Sequence, residues 1–154
     1  MGLPRKTVVI ILHQNNKILM QLRDDNPMIS YPGNWGFFGG NVEPGEEPMR
    51  CAKRELNEEI KYETKEVIAL SINRIFVPDE ILIHSFYCLL RIKVEEINLY
   101  EGFDFGLFTF EQILSKQLFS TKAKRYFPVV NHPYMEYIVS KFKEKISFNI
   151  FRGN

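Results

Sequence analysis

The sequence predicts an α/β domain, of the α+β type, in which strands and helices pack as layers around a common core. Runs rich in β-branched and aromatic residues read as strands. Other segments carry the apolar spacing of helices, and the two kinds are interspersed along the chain. The 154 residues suit one domain, residues 1–154, and a hydrophobic content of 45% with 14% aromatics gives ample material for a core.

Taken in order, Thr7 to His13 is apolar and β-branched, a buried strand. Asn15-Asn16 makes a turn, and Lys17 to Arg23 returns as the second arm of a hairpin. Asp24 to Asn34, rich in Pro, Gly, Asn and Asp, is loop. Trp35 to Phe38 is a short strand leading into Gly39-Gly40. Glu47 to Ile60 is a helix, with Pro48 tolerated in its first turn. Glu66 to Val77 and Ile81 to Val94 are long strands joined by Pro78-Asp79-Glu80, and Phe105 to Thr109 is a last short strand. Phe110 to Lys116 and Pro133 to Lys145 are helices. No repeat, low-complexity tract or interdomain linker stands out.

A formal net charge of +1 points to neither a nucleic-acid nor a membrane partner. Cys51 and Cys88 form no CxxC pair; one falls on a helix and the other in a strand, so both read as free buried thiols, which suits a reducing cytoplasm. Met1 to Gln14 lacks a signal-peptide apolar run, and no stretch is long and apolar enough to span a bilayer.

The run from Gly40 to Tyr62, GNVEPGEEPMRCAKRELNEEIKY, carries the strongest signal. Gly40 is followed after five residues by Glu46; seven more lead to Arg54-Glu55-Leu56, one spacer, then Glu58-Glu59. This resembles the signature of the Nudix, or MutT-like, hydrolases, G-x5-E-x7-R-E-U-x-E-E-x-G-U, where U is Ile, Leu or Val. At ordinary residue usage of a few per cent each, a chance match of the six fixed positions anywhere in such a chain has odds on the order of 10⁻⁵. Two positions depart from it: Lys61 stands for the closing Gly and Tyr62 for the aliphatic residue after it. That Gly normally ends the helix in a left-handed conformation, which costs another residue roughly 1 kcal/mol. A third departure is Phe38, where many relatives carry Pro before the paired glycines. The specific motif covers residues 35 to 62; by architecture the resemblance extends over the chain and implies the Nudix fold, a mixed β-sheet between α-helices.

At about 100° per residue, Met49, Ala52, Leu56 and Ile60 share a stripe that should face the core, while Glu55, Glu58 and Glu59 cluster on another face at i, i+3 and i+4. Such acids repel one another unless a divalent cation joins them, and oxygen ligands suit Mg²⁺ or Mn²⁺ rather than zinc. The alternative is a solvated acidic helix face. The resemblance implies that Glu58 and Glu59 are the principal metal ligands, that Glu55 is a ligand or positions water, and that the Gly40 carbonyl adds an oxygen. It leaves open which Glu is the general base. Arg54 is expected to orient the carboxylates, and Glu46 to cap the helix or stand behind the metal ligands.

Outside the motif, the resemblance places a phosphate-binding basic residue at Arg23, with an ion pair to Asp24 or Asp25 as the alternative. Tyr31, Trp35, Phe37, Phe103 and Phe105 are candidates to stack on a base; the alternative for each is core packing. Lys122, Lys124 and Arg125 form a basic run, either a solvated face or a phosphate or RNA contact. His84 lies between Leu82 and Phe86 on a strand face and reads as structural. Glu101, ahead of Gly102 and the Phe103-to-Ile113 segment, falls where many Nudix hydrolases keep one more carboxylate. It is a candidate metal ligand or water-activating base, with Asp104 second and a solvated loop acid as the alternative.

The function the resemblance implies is Mg²⁺-dependent hydrolysis of the phosphoanhydride in a nucleoside diphosphate linked to a group X. X is a phosphate, as in a nucleoside triphosphate or its oxidised form, or a sugar. The partner is then a small nucleotide derivative, and a homodimer stays open. The rivals are a non-catalytic nucleotide-binding module and an isopentenyl-diphosphate isomerase-like enzyme. The retained carboxylates count against the first, and the lack of a convincing extra Cys/Glu site against the second.

Overall fold

The structure is a computed structural model and describes residues 2–152. Strands β1 (Arg5–Gln14) and β2 (Lys17–Leu22) form the expected hairpin, closed by Asn15 and Asn16 at φ 53° and 60°. A two-residue turn of this twist needs positive φ at both positions, and asparagine tolerates it. Pairing runs only from Gln14↔Lys17 to Leu12↔Leu19 before the strands part.

The segment after Asn34 fills the gap between them. β3 (Trp35–Gly36) pairs with β2 and β4 (Phe38–Asn41) with β1, so the single short strand expected here is two, with Phe37 at the crossing. Gly39 and Gly40 therefore lie inside a strand, opposite Val9 and Val8, and do not follow one. After helix α1 (Pro48–Ile60), β5 (Ile68–Phe76) forms one edge of the sheet. β6 (Glu80–Leu89) lies between β5 and β1 and runs parallel to β1. β7 (Asp104–Thr109) adds to β2, completing a seven-stranded mixed sheet.

Both faces of this sheet are covered, which is why β1 reads as an unbroken apolar run instead of an alternating one. Val8, Ile10 and Leu12 pack with Phe38 and the α1 residues Ala52, Leu56 and Ile60. Val9 and Ile11 pack on the other face with Trp35, with Phe110 and Ile113 of α2 (Phe110–Leu114), and with Ile138, Val139 and Phe142 of α3 (Pro133–Arg152). No helix among the described residues is long and apolar enough to cross a membrane.

Several boundaries move. The strand expected to reach Val94 ends at Leu89, because the Gln14 amide takes the Leu90 and Ile92 carbonyls at 2.9 and 2.8 Å and draws the chain off the sheet. α2 stops at Leu114, and Lys116 turns left-handed at φ 69°. α3 continues past Lys145 to Arg152. A second, two-stranded sheet, β8 (Gln117–Ser120) with β9 (Arg125–Pro128), was not expected; the basic run Lys122, Lys124 and Arg125 forms its tip.

Candidate active site

Helix α1 does not sort its residues as its apolar spacing suggests. Cys51, Ala52, Leu56 and Ile60 are buried, but Met49, in the first turn, is 37% exposed. Glu55 and Glu59 are buried with the apolar stripe, whereas Glu58 points outward, so the three acids do not share one face. The reason lies in β4. The Gly39 N–H donates to Glu59 Oε1 at 3.2 Å, and the Glu55 carboxylate occupies the space a Cβ on Gly40 would fill. A Cβ on Gly39 would strike the Val8 carbonyl. The paired glycines thus let the strand backbone and two helix carboxylates meet.

The opposite wall is the loop before β7. Tyr100 N–H donates to the Glu59 main-chain carbonyl at 2.8 Å, the Gln21 amide donates to the Glu101 carbonyl at 2.7 Å, and Phe103 N–H donates to the Leu22 carbonyl at 2.8 Å. With the loop fixed at these points, one carboxylate oxygen each from Glu55, Glu59 and Glu101 lie within 4.8 Å of one another. Glu55 and Glu59 are buried and Glu101 is exposed. Glu59 Oε2 is buried with no hydrogen-bond partner.

Electrostatics follow from that crowding. Burial, and then the charge of Glu55, push the Glu59 carboxyl up to about 9, with Glu101 adding to the shift. Burial raises Glu55 as well. An orphaned oxygen among buried acids suits a hard divalent cation, which would supply the missing partner and compensate the charge. The donor set, carboxylate oxygens alone, therefore fits a divalent ion.

Arg54 braces the group from behind. Its Nε and Nη2 hold Glu46 side-on at 2.8 and 2.9 Å, while Nη1 donates to Glu55 at 3.0 Å and to Glu58 at 3.2 Å. Nη2 also reaches the Asn41 carbonyl at 3.2 Å. These hydrogen bonds hold the Glu46 carboxyl down to about 2 and raise Arg54. Glu46 thus anchors Arg54; the helix N-cap is Glu47, whose side chain makes no capping bond.

Other candidates fall elsewhere. Glu58, 47% exposed, is turned to Arg54 and lies outside the three-acid group. Arg23 pairs with neither Asp24 nor Asp25; its Nε donates to the Ser30 carbonyl at 2.6 Å. Phe37 is 7% exposed and belongs to the core, as does Trp35, so neither offers a free stacking face. Asp104 is buried and accepts the Ser120 hydroxyl at 2.6 Å. Asp79 and Glu80 lie at the β5–β6 turn, where Glu80 pairs with Arg74. His84 is partly buried among the strands. Cys51 and Cys88 are free and buried. The brace from Gln21 was missed; a glutamine inside an apolar strand was its only trace.

The model of the NUDIX domain matches residues 3–129, and the chain belongs to the Nudix family. The nucleoside triphosphatase NudI of Escherichia coli is 38% identical over 58 residues, which cover 36% of this chain and 40% of that protein. The match thus spans well under half the length of that relative. Among solved structures, the MutT protein of Methanosarcina mazei Go1 superposes with a TM-score of 0.70 at 17% identity, covering 94% of this chain and 98% of that one. The NUDIX domain of Shewanella oneidensis NrtR, solved with ADP ribose, gives 0.70 at 15% identity over 95% and 90%. At such identities these structures show the fold: a mixed sheet between helices, as the resemblance implied.

Proposed function

We propose that this chain is a Mg²⁺-dependent pyrophosphohydrolase, with Mn²⁺ able to substitute, that cleaves the phosphoanhydride of a nucleoside diphosphate linked to X. The observation that carries the reading is the convergence of Glu55, Glu59 and Glu101 around a buried oxygen without a partner. In this reading Glu55 and Glu59 would hold the ion with the Gly40 carbonyl as a further ligand, and Glu58, turned to Arg54, stands outside that set. When bound, the ion neutralises diphosphate charge and makes water more acidic. Glu101, exposed and opposite the helix, takes the proton of the attacking water; Arg54 keeps Glu55 and Glu58 in place and does not touch substrate. A triphosphate is favoured for X by the name of the NudI relative, and ADP ribose bound to the NrtR domain keeps a sugar in view.

The test is a panel of nucleoside triphosphates and nucleotide sugars with Mg²⁺, read as phosphate or pyrophosphate release. Turnover abolished by EDTA supports the reading. Nucleotide binding with no turnover of any member would favour the binding-module rival instead.

A further inference from the structure

The hairpin tip at Lys122 is tied to the loop that carries Glu101 by a buried acid that the reaction does not use. Asp104 Oδ2 accepts the Ser120 hydroxyl at 2.6 Å and lies 3.5 Å from the Lys122 main-chain nitrogen. Ser120 Oγ in turn accepts the Ala123 N–H at 3.0 Å, and the Ser120 carbonyl accepts the Lys124 N–H at 2.8 Å. Asp104 thus shapes the tip of the β8–β9 hairpin and fixes it three residues beyond Glu101.

The side chain delivered there is Lys122. Its ammonium donates to the Phe103 carbonyl at 2.9 Å and sits 4.4 Å from the Phe103 ring centroid. An ammonium has three N–H donors, so two are left over, and no ion pair among the described residues involves Lys122. Phe103 follows Glu101 by two residues, which limits their Cα separation to about 7.6 Å. At the other end of the loop the Lys61 ammonium lies 5.1 Å from the Tyr100 ring centroid. Both ammonium groups thus lie against aromatic residues of the loop that carries Glu101.

We infer that Lys122 is a specificity-determining residue that binds a terminal phosphate of the substrate. The enzyme then prefers X to be phosphate, as in a nucleoside triphosphate, over an uncharged sugar. The inference rests on the hydrolase reading above. A charged X gains a charge-assisted hydrogen bond from the free ammonium donors. A neutral X leaves them in water at no loss.

Steady-state kinetics on a nucleoside triphosphate and a nucleoside diphosphate sugar, with wild type, Lys122→Gln, Lys122→Arg and Lys124→Gln, test this. Lys124 shares the tip, but its ammonium has no hydrogen bond, ion pair or ring contact among the described residues. Lys122→Gln should lower kcat/KM for the triphosphate on the order of 10- to 100-fold, mainly through KM, with the sugar substrate within about twofold of wild type. Lys122→Arg should restore most of the loss, and Lys124→Gln should change neither substrate. Equal losses on both substrates, or none, would overturn the assignment. If wild type turned over only the sugar, the hydrolase reading would survive and Lys122 would fall alone; turnover of neither would remove both.

Discussion

The Gly39 N–H donates to the Glu59 carboxylate at 3.2 Å to Oε1, and Oε2 is buried with no partner among the described residues. That relationship makes stability depend on pH when no metal is present. Glu59 is raised from 4.5 to about 9, so the folded state holds this proton more tightly than the unfolded chain. Its contribution is fully present below pH 4.5 and is lost as pH rises toward 9. In EDTA, the melting temperature of Glu59→Gln should fall less than that of wild type across this window. Mg²⁺ should raise the wild-type value most at the alkaline end, where protons no longer compete. Parallel curves for the two proteins would show that Glu59 is ionised throughout.

Two residues one helical turn apart should separate function from stability. Glu59→Gln removes a carboxylate that can ligate an ion and almost no volume. It should cut kcat by orders of magnitude and leave apo stability unchanged or improved. Leu56 is fully buried against β1, and Leu56→Ala should cost roughly 2–5 kcal/mol in denaturant unfolding. A Glu59 variant with wild-type turnover would disprove the site.

Much of this site was legible because the motif spacing fixes which residues share a helix turn. Burial was not. Apolar periodicity placed Met49 inside and the acids outside, whereas β4 offers two glycines, and the space they leave takes in Glu55 and Glu59. Glu101 was located by its position before β7, but its hold from Gln21 and Tyr100 depends on contacts distant in sequence. The β8–β9 hairpin was missed because only Leu118 and Ser120 are fully inward on β8, and the basic residues at its tip read as solvated loop. Likewise, the end of β6 is set by the Gln14 side chain, 76 residues away from Leu90.

Lys61 occupies the left-handed helix terminus that the motif reserves for glycine, at φ 53° and ψ 34°. Its N–H bonds the Asn57 carbonyl at 3.0 Å and the next N–H, from Tyr62, bonds Leu56 at 3.3 Å. The helix exit is therefore unchanged, and Tyr62 fills the following position with a buried ring whose hydroxyl donates to the Leu89 carbonyl at 3.0 Å. Lys61→Gly should relieve backbone strain and stabilise by about 1 kcal/mol or less, with kcat unaltered. A clear loss in thermal melting would show that the lysine side chain contributes more than its backbone costs.

Glu101→Gln addresses the assignment of the base. Loss of a general base should lower kcat by about 10²–10⁴-fold with little change in substrate affinity. Retention of the wild-type rate would return Glu101 to an ordinary loop acid. Asp104 is then no substitute, since both its oxygens already accept hydrogen bonds from Phe105 and Ser120.

Glu55 and Glu59, with Glu101 beside them, form the proposed site for a divalent ion that the reaction needs. Calorimetric titration of Mg²⁺ or Mn²⁺ into metal-free wild type, Glu59→Gln and Glu101→Gln, each paired with its turnover, tests it most directly. Wild type should bind the ion and turn over only when it is bound, and Glu59→Gln should lose binding and turnover together. Full turnover by wild type in EDTA, or undiminished ion binding by Glu59→Gln, would contradict the claim.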